Sequence, residues 1–167
     1  MVGLAPGLKG ANATGRPFTG DYAGDLLYAT LAKFGFTRGQ YGARADDGLD
    51  LVDARITNAV RCVPPENKPV GAEIKACRPF LESEIAAMPR LAVILALGTI
   101  AHNSVLTTLG QRRAAYPFGH NVEHALPGGP VLVASYHCSR YNTNTRRLTT
   151  SMFEDVFAAI RNRLDKI

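Results

Sequence analysis

Leu91-Ala-Val-Ile-Leu-Ala-Leu97-Gly98-Thr99 decides the fold. Seven consecutive apolar residues with no polar alternation are the pattern of a strand buried on both faces, as in a parallel sheet. Gly98-Thr99 then opens a helix running to about Leu109, with Thr99 as a candidate cap. Downstream, Pro127-Gly-Gly-Pro130 makes a turn into a second buried strand, Val131 to Ser135. The last helix has a capping box from Ser151 and Glu154, and Phe153, Val156, Phe157, Ile160 and Leu164 form its apolar face.

Upstream of the central run, Ile74, Cys77, Leu81, Ile85 and Met88 recur at helical spacing over 72–88, and Pro79 should bend or break that helix. Residues 53–60 read as a strand with Ile56 inside, and residues 26–36 as a helix ended by Gly35. Alternating strands and helices give an α/β domain with a parallel sheet. No linker or repeat divides the 167 residues, so a single domain over 1–167 is expected.

The composition excludes several classes. With 46% hydrophobic and 20% charged residues the chain can bury a core. Its longest apolar run is far below the roughly 20 residues of a membrane-spanning helix. Three cysteines without framework spacing and no leader-like start argue for an intracellular protein. The net charge is +5, and Arg outnumbers Lys by 14 to 5, which suits bidentate phosphate contact. Arg112 with Arg113, and Arg140 with Arg146 and Arg147, are the faces offered to an anionic polymer.

Gly3-Leu-Ala-Pro-Gly7-Leu-Lys-Gly10 fits neither the dinucleotide fingerprint nor the Walker loop. It is a surface turn, or a loop whose glycines let a ligand approach backbone amides. Such loops follow a strand in open α/β sheets, and here that strand would have to be Met1 and Val2. The expectation is therefore that the natural protein has more sequence upstream. Thr14-Gly-Arg-Pro-Phe18-Thr-Gly-Asp21 sets an aromatic ring beside a carboxylate. Asn58, in a strand, is a turn or bulge residue, or an amide able to read a pyrimidine edge. His137 follows a buried strand and is a structural imidazole or a general acid or electrostatic group. His120 and His124 lack a third ligand at suitable spacing and are read as structural. Cys62 and Cys77 supply at most half of a four-thiolate site, and without further ligands they are free thiols.

In order along the chain, the first segment with its continuation to Asp21, Thr57-Asn58-Ala-Val-Arg61-Cys62-Val-Pro-Pro-Glu66-Asn-Lys-Pro, and Ser135-Tyr-His137-Cys-Ser139-Arg140-Tyr-Asn142-Thr-Asn144-Thr-Arg-Arg147-Leu-Thr resemble three motifs of the uracil-DNA glycosylase superfamily. The similarity is to its family 5, or class B, branch. It implies a three-layer α/β/α fold around a mostly parallel four-stranded sheet, with the first strand truncated here. It also implies an enzyme that flips a damaged base from DNA and hydrolyses its N-glycosidic bond.

In that resemblance Phe18 stacks on the flipped base, Asn58 binds its edge, and backbone amides near Ala5 to Gly7 hold a carbonyl. His137 donates to the base O2. Family 5 lacks the polar residue that sister families place in the first motif, so Asp21 is expected to position water and stabilise the cationic sugar. Ser139, Arg140, Asn142, Arg146 and Arg147 face the DNA, although Arg146 and Tyr141 stand where relatives commonly have Gly and Gln. A structural 4Fe–4S cluster is implied, with Cys62 and Cys77 matching two ligands and the other two expected upstream. The implied partner is double- or single-stranded DNA with uracil or other damaged bases, met by a monomer in the cytoplasm at the nucleoid. A truncated, non-catalytic DNA-binding relative is the alternative. Outside the resemblance stand a hydrolase using Cys138 with His137, and a nucleotide-binding module without chemistry.

Overall fold

The computed structural model describes residues 1–167. Its elements in chain order are β1 (Val2–Gly3), α1 (Ala11–Thr14), α2 (Tyr22–Lys33), β2 (Thr37–Arg38), β3 (Asp50–Leu51), β4 (Thr57–Asn58), α3 (Gly71–Ala86), β5 (Val93–Leu97), α4 (Thr99–Thr108), β6 (Val122–Ala125), β7 (Val131–Ser135), α5 (Arg140–Asn144) and α6 (Thr150–Leu164). They gather into two compact units. One is formed by Met1–Ala5 with Thr57–Tyr136, the other by Pro6–Ile56 with His137–Ile167.

The first unit is the sheet, with strand order β4-β1-β5-β7-β6. β5 and β7 pair in parallel from Val93 opposite Val131 to Leu97 opposite Ser135, as two continuous apolar runs require. β1 and β4 are parallel as well, whereas β6 runs antiparallel along β7. The sheet therefore has five strands, not the four expected. The added edge strand, Val-Glu-His-Ala, is polar and mostly exposed, so it carries no hydrophobic periodicity. The strand expected over 53–60 shrinks to Thr57–Asn58, because its partner β1 offers only two residues. Ala59 and Val60 continue that pairing with hydrogen bonds to the carbonyls of Gly3 and Leu4.

Val2, Ile94, Ala96 and Leu132 from the strands, Ala101, Val105 and Leu106 from α4, and Leu81 from α3 build this unit's core. α3 runs unbroken through Pro79, and the Glu73 carboxylate accepts the Val70 N–H at its start. α4 is preceded by Gly98 at φ +91°, so Thr99 is its first helical residue and not its cap.

In the second unit α2 packs on α6. Leu27 and Leu31 of α2 and Phe153, Val156, Phe157 and Ile160 of α6 are buried. α6 begins two residues earlier than the sequence suggests: Thr149 is the cap, accepting the Met152 N–H at 3.2 Å. Glu154, freed from a capping box, pairs with Lys33 of α2 at 2.6 Å. β2 and β3 form a short antiparallel pair that the sequence pattern does not reveal.

One buried polar side chain of the sheet unit is exposed to protonation. His102 on α4 is fully buried, with Nε2 2.9 Å from the Tyr116 carbonyl and Nδ1 without a partner. Burial holds its pKa below the usual 6.5, opposed by the Tyr116 bond and reinforced by nearby His124. The unfolded chain thus takes up this proton at a higher pH than the folded one, and stability contributed by neutral His102 is lost as pH falls below about 6.5. Thermal melts from pH 7.5 to 5 should show a falling midpoint, less steep in His102→Gln, whose amide can still donate to Tyr116. An equal slope in both proteins would remove His102 as a cause.

Candidate active site

The second unit assembles its site from two stretches far apart in sequence, 14–24 and 137–143. At its centre Phe18 is buried, and its ring stacks on that of His137 with centroids 5.8 Å apart and an interplanar angle of 30°. Phe18 adopts φ +54°, a left-handed conformation that costs a bulky residue on the order of 1–3 kcal/mol. Its surroundings enforce it. The Tyr28 hydroxyl donates to the Pro17 carbonyl at 2.8 Å, and the Tyr41 hydroxyl to the Phe18 carbonyl at 3.4 Å. Thr14 Oγ1 lies 3.0 Å from the Thr19 carbonyl.

Arg16 anchors this segment. Its guanidinium meets Asp47 through two parallel bonds of 2.8 and 2.7 Å and donates from Nε to Thr19 Oγ1 at 2.8 Å. It also lies 5.2 and 5.6 Å from the ring centres of Tyr28 and Tyr41. The guanidinium holds the Asp47 carboxyl far below the usual carboxylate range.

Asp21 divides its two oxygens. Oδ1 caps α2 by accepting the Gly24 N–H at 2.9 Å. Oδ2 lies over the glycine loop, where a Cβ on Gly10 would come within 2.3 Å of it and one on Gly7 within 3.1 Å. The glycines at 7 and 10 make room for this carboxylate. Oδ2 has no hydrogen-bond donor from the protein.

His137 is largely desolvated, which drives its pKa below 6.5 against the opposing pull of Asp21. Its ring is therefore neutral at pH 7 and can donate one N–H. Asn142 Nδ2 secures the His137 carbonyl at 2.8 Å, and Ser139 caps α5 by accepting the Asn142 N–H. Cys138 is fully buried, with Sγ 3.5 Å from the Ala23 carbonyl. Burial pushes its thiol up to about 12, so a Cys138–His137 nucleophilic pair has no thiolate at working pH.

The stretch from Ser139 to Arg147 forms a short helix, α5, followed by a turn. Arg140 is exposed above the ring of Tyr22 at 5.1 Å. Arg146 and Arg147 are exposed, and Arg146 takes φ +57° just past the helix end, where glycine is usual.

Two expected base-binding residues belong to the sheet unit. Ala5 ends the segment after β1. Asn58 ends β4, with its side-chain Oδ1 buried and unpartnered. An acceptor left unsatisfied costs stability.

Cys62 is exposed and Cys77 half-buried, and the Cys77 sulfur accepts the Arg61 N–H at 3.4 Å. No set of three or more His, Cys, Asp or Glu side chains is gathered to hold a metal ion. The residues present do not complete a four-thiolate cluster, and no chemical step depends on one.

Comparison with known proteins places this geometry. The family model of the uracil DNA glycosylase superfamily matches residues 1–161. A type-5 uracil-DNA glycosylase of Thermus thermophilus is 47% identical over 156 residues, covering 93% of this chain and 71% of the relative. The chain belongs to the uracil-DNA glycosylase superfamily, in its family 5 branch. A type-5 enzyme of Mycobacterium leprae is 43% identical over 94% of this chain and 69% of the relative. A type-4 enzyme of Pyrobaculum aerophilum is 39% identical over 67% of the chain and 50% of the relative.

The family motifs supply Phe18, Asp21, Asn58 and His137, but not the supports. Gly24, Tyr28, Tyr41 and Asp47 carry no motif signal, and Asp47 lies 31 residues from the arginine it holds.

Two substitutions test the backbone. A Cβ on Gly24 would lie 1.7 Å from the Phe18 carbonyl oxygen. Gly24→Ala should cost about 1–3 kcal/mol in urea unfolding, and a neutral result would show that the Phe18 segment yields easily. Arg146→Gly should raise stability by roughly 0.5–1 kcal/mol by relieving the left-handed strain. A lower unfolding midpoint would contradict the strain.

Proposed function

We propose that this family 5 chain removes uracil from DNA by hydrolysing its N-glycosidic bond, leaving an abasic site. The observation that carries the reading is the neutral His137 packed on Phe18, with the free Asp21 oxygen in the same unit. Bond cleavage builds negative charge on the departing base and positive charge on the sugar. Phe18 offers its ring to the extruded base, and Asn58 offers its unpaired amide oxygen to the base edge. Backbone amides around Ala5 to Gly7 take a carbonyl.

His137 donates an N–H whose hydrogen bond strengthens as charge collects on O2, so it favours the transition state over the ground state. Asp21 Oδ2 holds the attacking water and faces the cationic sugar. Ser139, Arg140, Asn142, Arg146 and Arg147 form or support the surface that meets phosphate and the emptied stack. In this reading the enzyme acts as a monomer on single- or double-stranded DNA at the nucleoid and accepts deaminated bases beyond uracil. Cys62 and Cys77 would contribute two of the four thiolates of a 4Fe–4S cluster. No helix is long and apolar enough to cross a membrane.

The test is uracil excision from an end-labelled duplex, with alkali to cut abasic sites. The chain should cleave, and His137→Ala should fall by about 10²–10³-fold, the cost of one donor aimed at developing charge. Absence of cleavage by the unaltered chain, with binding to abasic duplex retained, would favour a non-catalytic relative. Equal rates for both proteins would remove His137 from the chemistry.

A further inference from the structure

Tyr22 is the first residue of α2, directly after Asp21, and its side chain stands partly in solvent. No sequence motif draws attention to it. Two contacts tie it to α5. Its ring lies 5.1 Å beneath the Arg140 guanidinium, and its hydroxyl is 3.1 Å from Thr143 Oγ1. Arg140 and Thr143 are three apart on one helix, so they present a common face to the same phenol. α5 has only five residues and is fixed at its start by the Ser139 cap and the Asn142 bond to His137. Tyr22 is its outer support.

Arg140 makes no ion pair: the Tyr22 stack is the only specific contact of its guanidinium. Stacking on an aromatic face orients a guanidinium while leaving its in-plane N–H groups open, the geometry that grips phosphate in two places. A free arginine side chain would surrender rotamer entropy on binding, and a stacked one has surrendered part of it beforehand.

We propose that Tyr22 is a positioning residue that holds Arg140 ready for a DNA backbone phosphate. This rests on the glycosylase reading above and adds the residue that sets one of its phosphate contacts. Tyr22 acts through Arg140, touching neither the base nor the bond that breaks.

The experiment is a double-mutant cycle with Tyr22→Ala and Arg140→Ala. Its readouts are affinity for a duplex carrying a tetrahydrofuran abasic analogue across a salt series, and steady-state excision of uracil. Tyr22→Ala should weaken binding about three- to tenfold, the scale of an exposed cation–π contact with its hydroxyl bond, and raise KM more than it lowers kcat. Arg140→Ala should flatten the dependence of log affinity on log salt by about one phosphate. The double variant should bind no worse than Arg140→Ala alone.

Tyr22→Phe, which keeps the ring, should recover most of the affinity. Additive losses, or a Phe variant as weak as Ala, would overturn the positioning role while leaving the glycosylase reading intact. An unaltered chain that neither excises uracil nor binds the abasic duplex would overturn both.

Discussion

The bidentate pair between Arg16 and Asp47 is the contact on which the second unit's site depends. Asp47 has only 4% of its side chain exposed, and two tyrosine rings flank the arginine. A desolvated pair is a poor source of net stability, because both ions give up water. Its value here is geometric. Asp47 also accepts the N–H groups of Gly42 and Leu49, so one carboxylate ties the 39–49 loop to the Phe18 segment. That loop carries Tyr41, whose hydroxyl reaches the Phe18 carbonyl. Removing either ion would release the loop and leave its partner buried and uncompensated. The depressed Asp47 pKa keeps the pair ionised well below neutral pH, and its stabilisation is lost progressively as pH falls from the ordinary carboxylate range, near 3.8, towards that lowered value.

The sequence makes some of this legible and hides the rest for identifiable reasons. β5, β7 and α6 are readable because long runs bury whole faces, and burial writes itself into hydrophobic period. β1 and β4 are two-residue strands whose length is set by each other, which no local pattern encodes. β6 is hidden by polarity at the sheet edge. Ser151 and Glu154 imitate a capping box in the sequence, whereas Thr149 is the cap of α6 and Glu154 pairs with Lys33.

At the site, ordered motifs mark the residues of the proposed chemistry, but what shapes them is long-range. Gly24 looks like any helical glycine until the Phe18 carbonyl is found where its Cβ would be. Gly7 and Gly10 clear space for Asp21, which lies eleven or more residues further along the chain. Tyr22 and Arg140 are separated by more than a hundred residues of chain, and only the fold brings ring and guanidinium together.

The distribution of charge follows from what each region must discriminate. A permanent cation beside the base would attract phosphate and ground-state DNA as readily as the transition state, and uniform binding does not accelerate a reaction. Desolvation instead leaves His137 uncharged, and in the proposed mechanism its donor gains strength only where the leaving base becomes anionic. The arginines sit on α5 and just beyond it, exposed, where attraction to any phosphate is useful. Asp21 supplies the complementary negative charge with an orientation set by its own cap: Gly24 holds one oxygen, and that fixes where the other points. A helix cap and a candidate catalytic carboxylate are thus one side chain, and moving the start of α2 by a single residue would disable both.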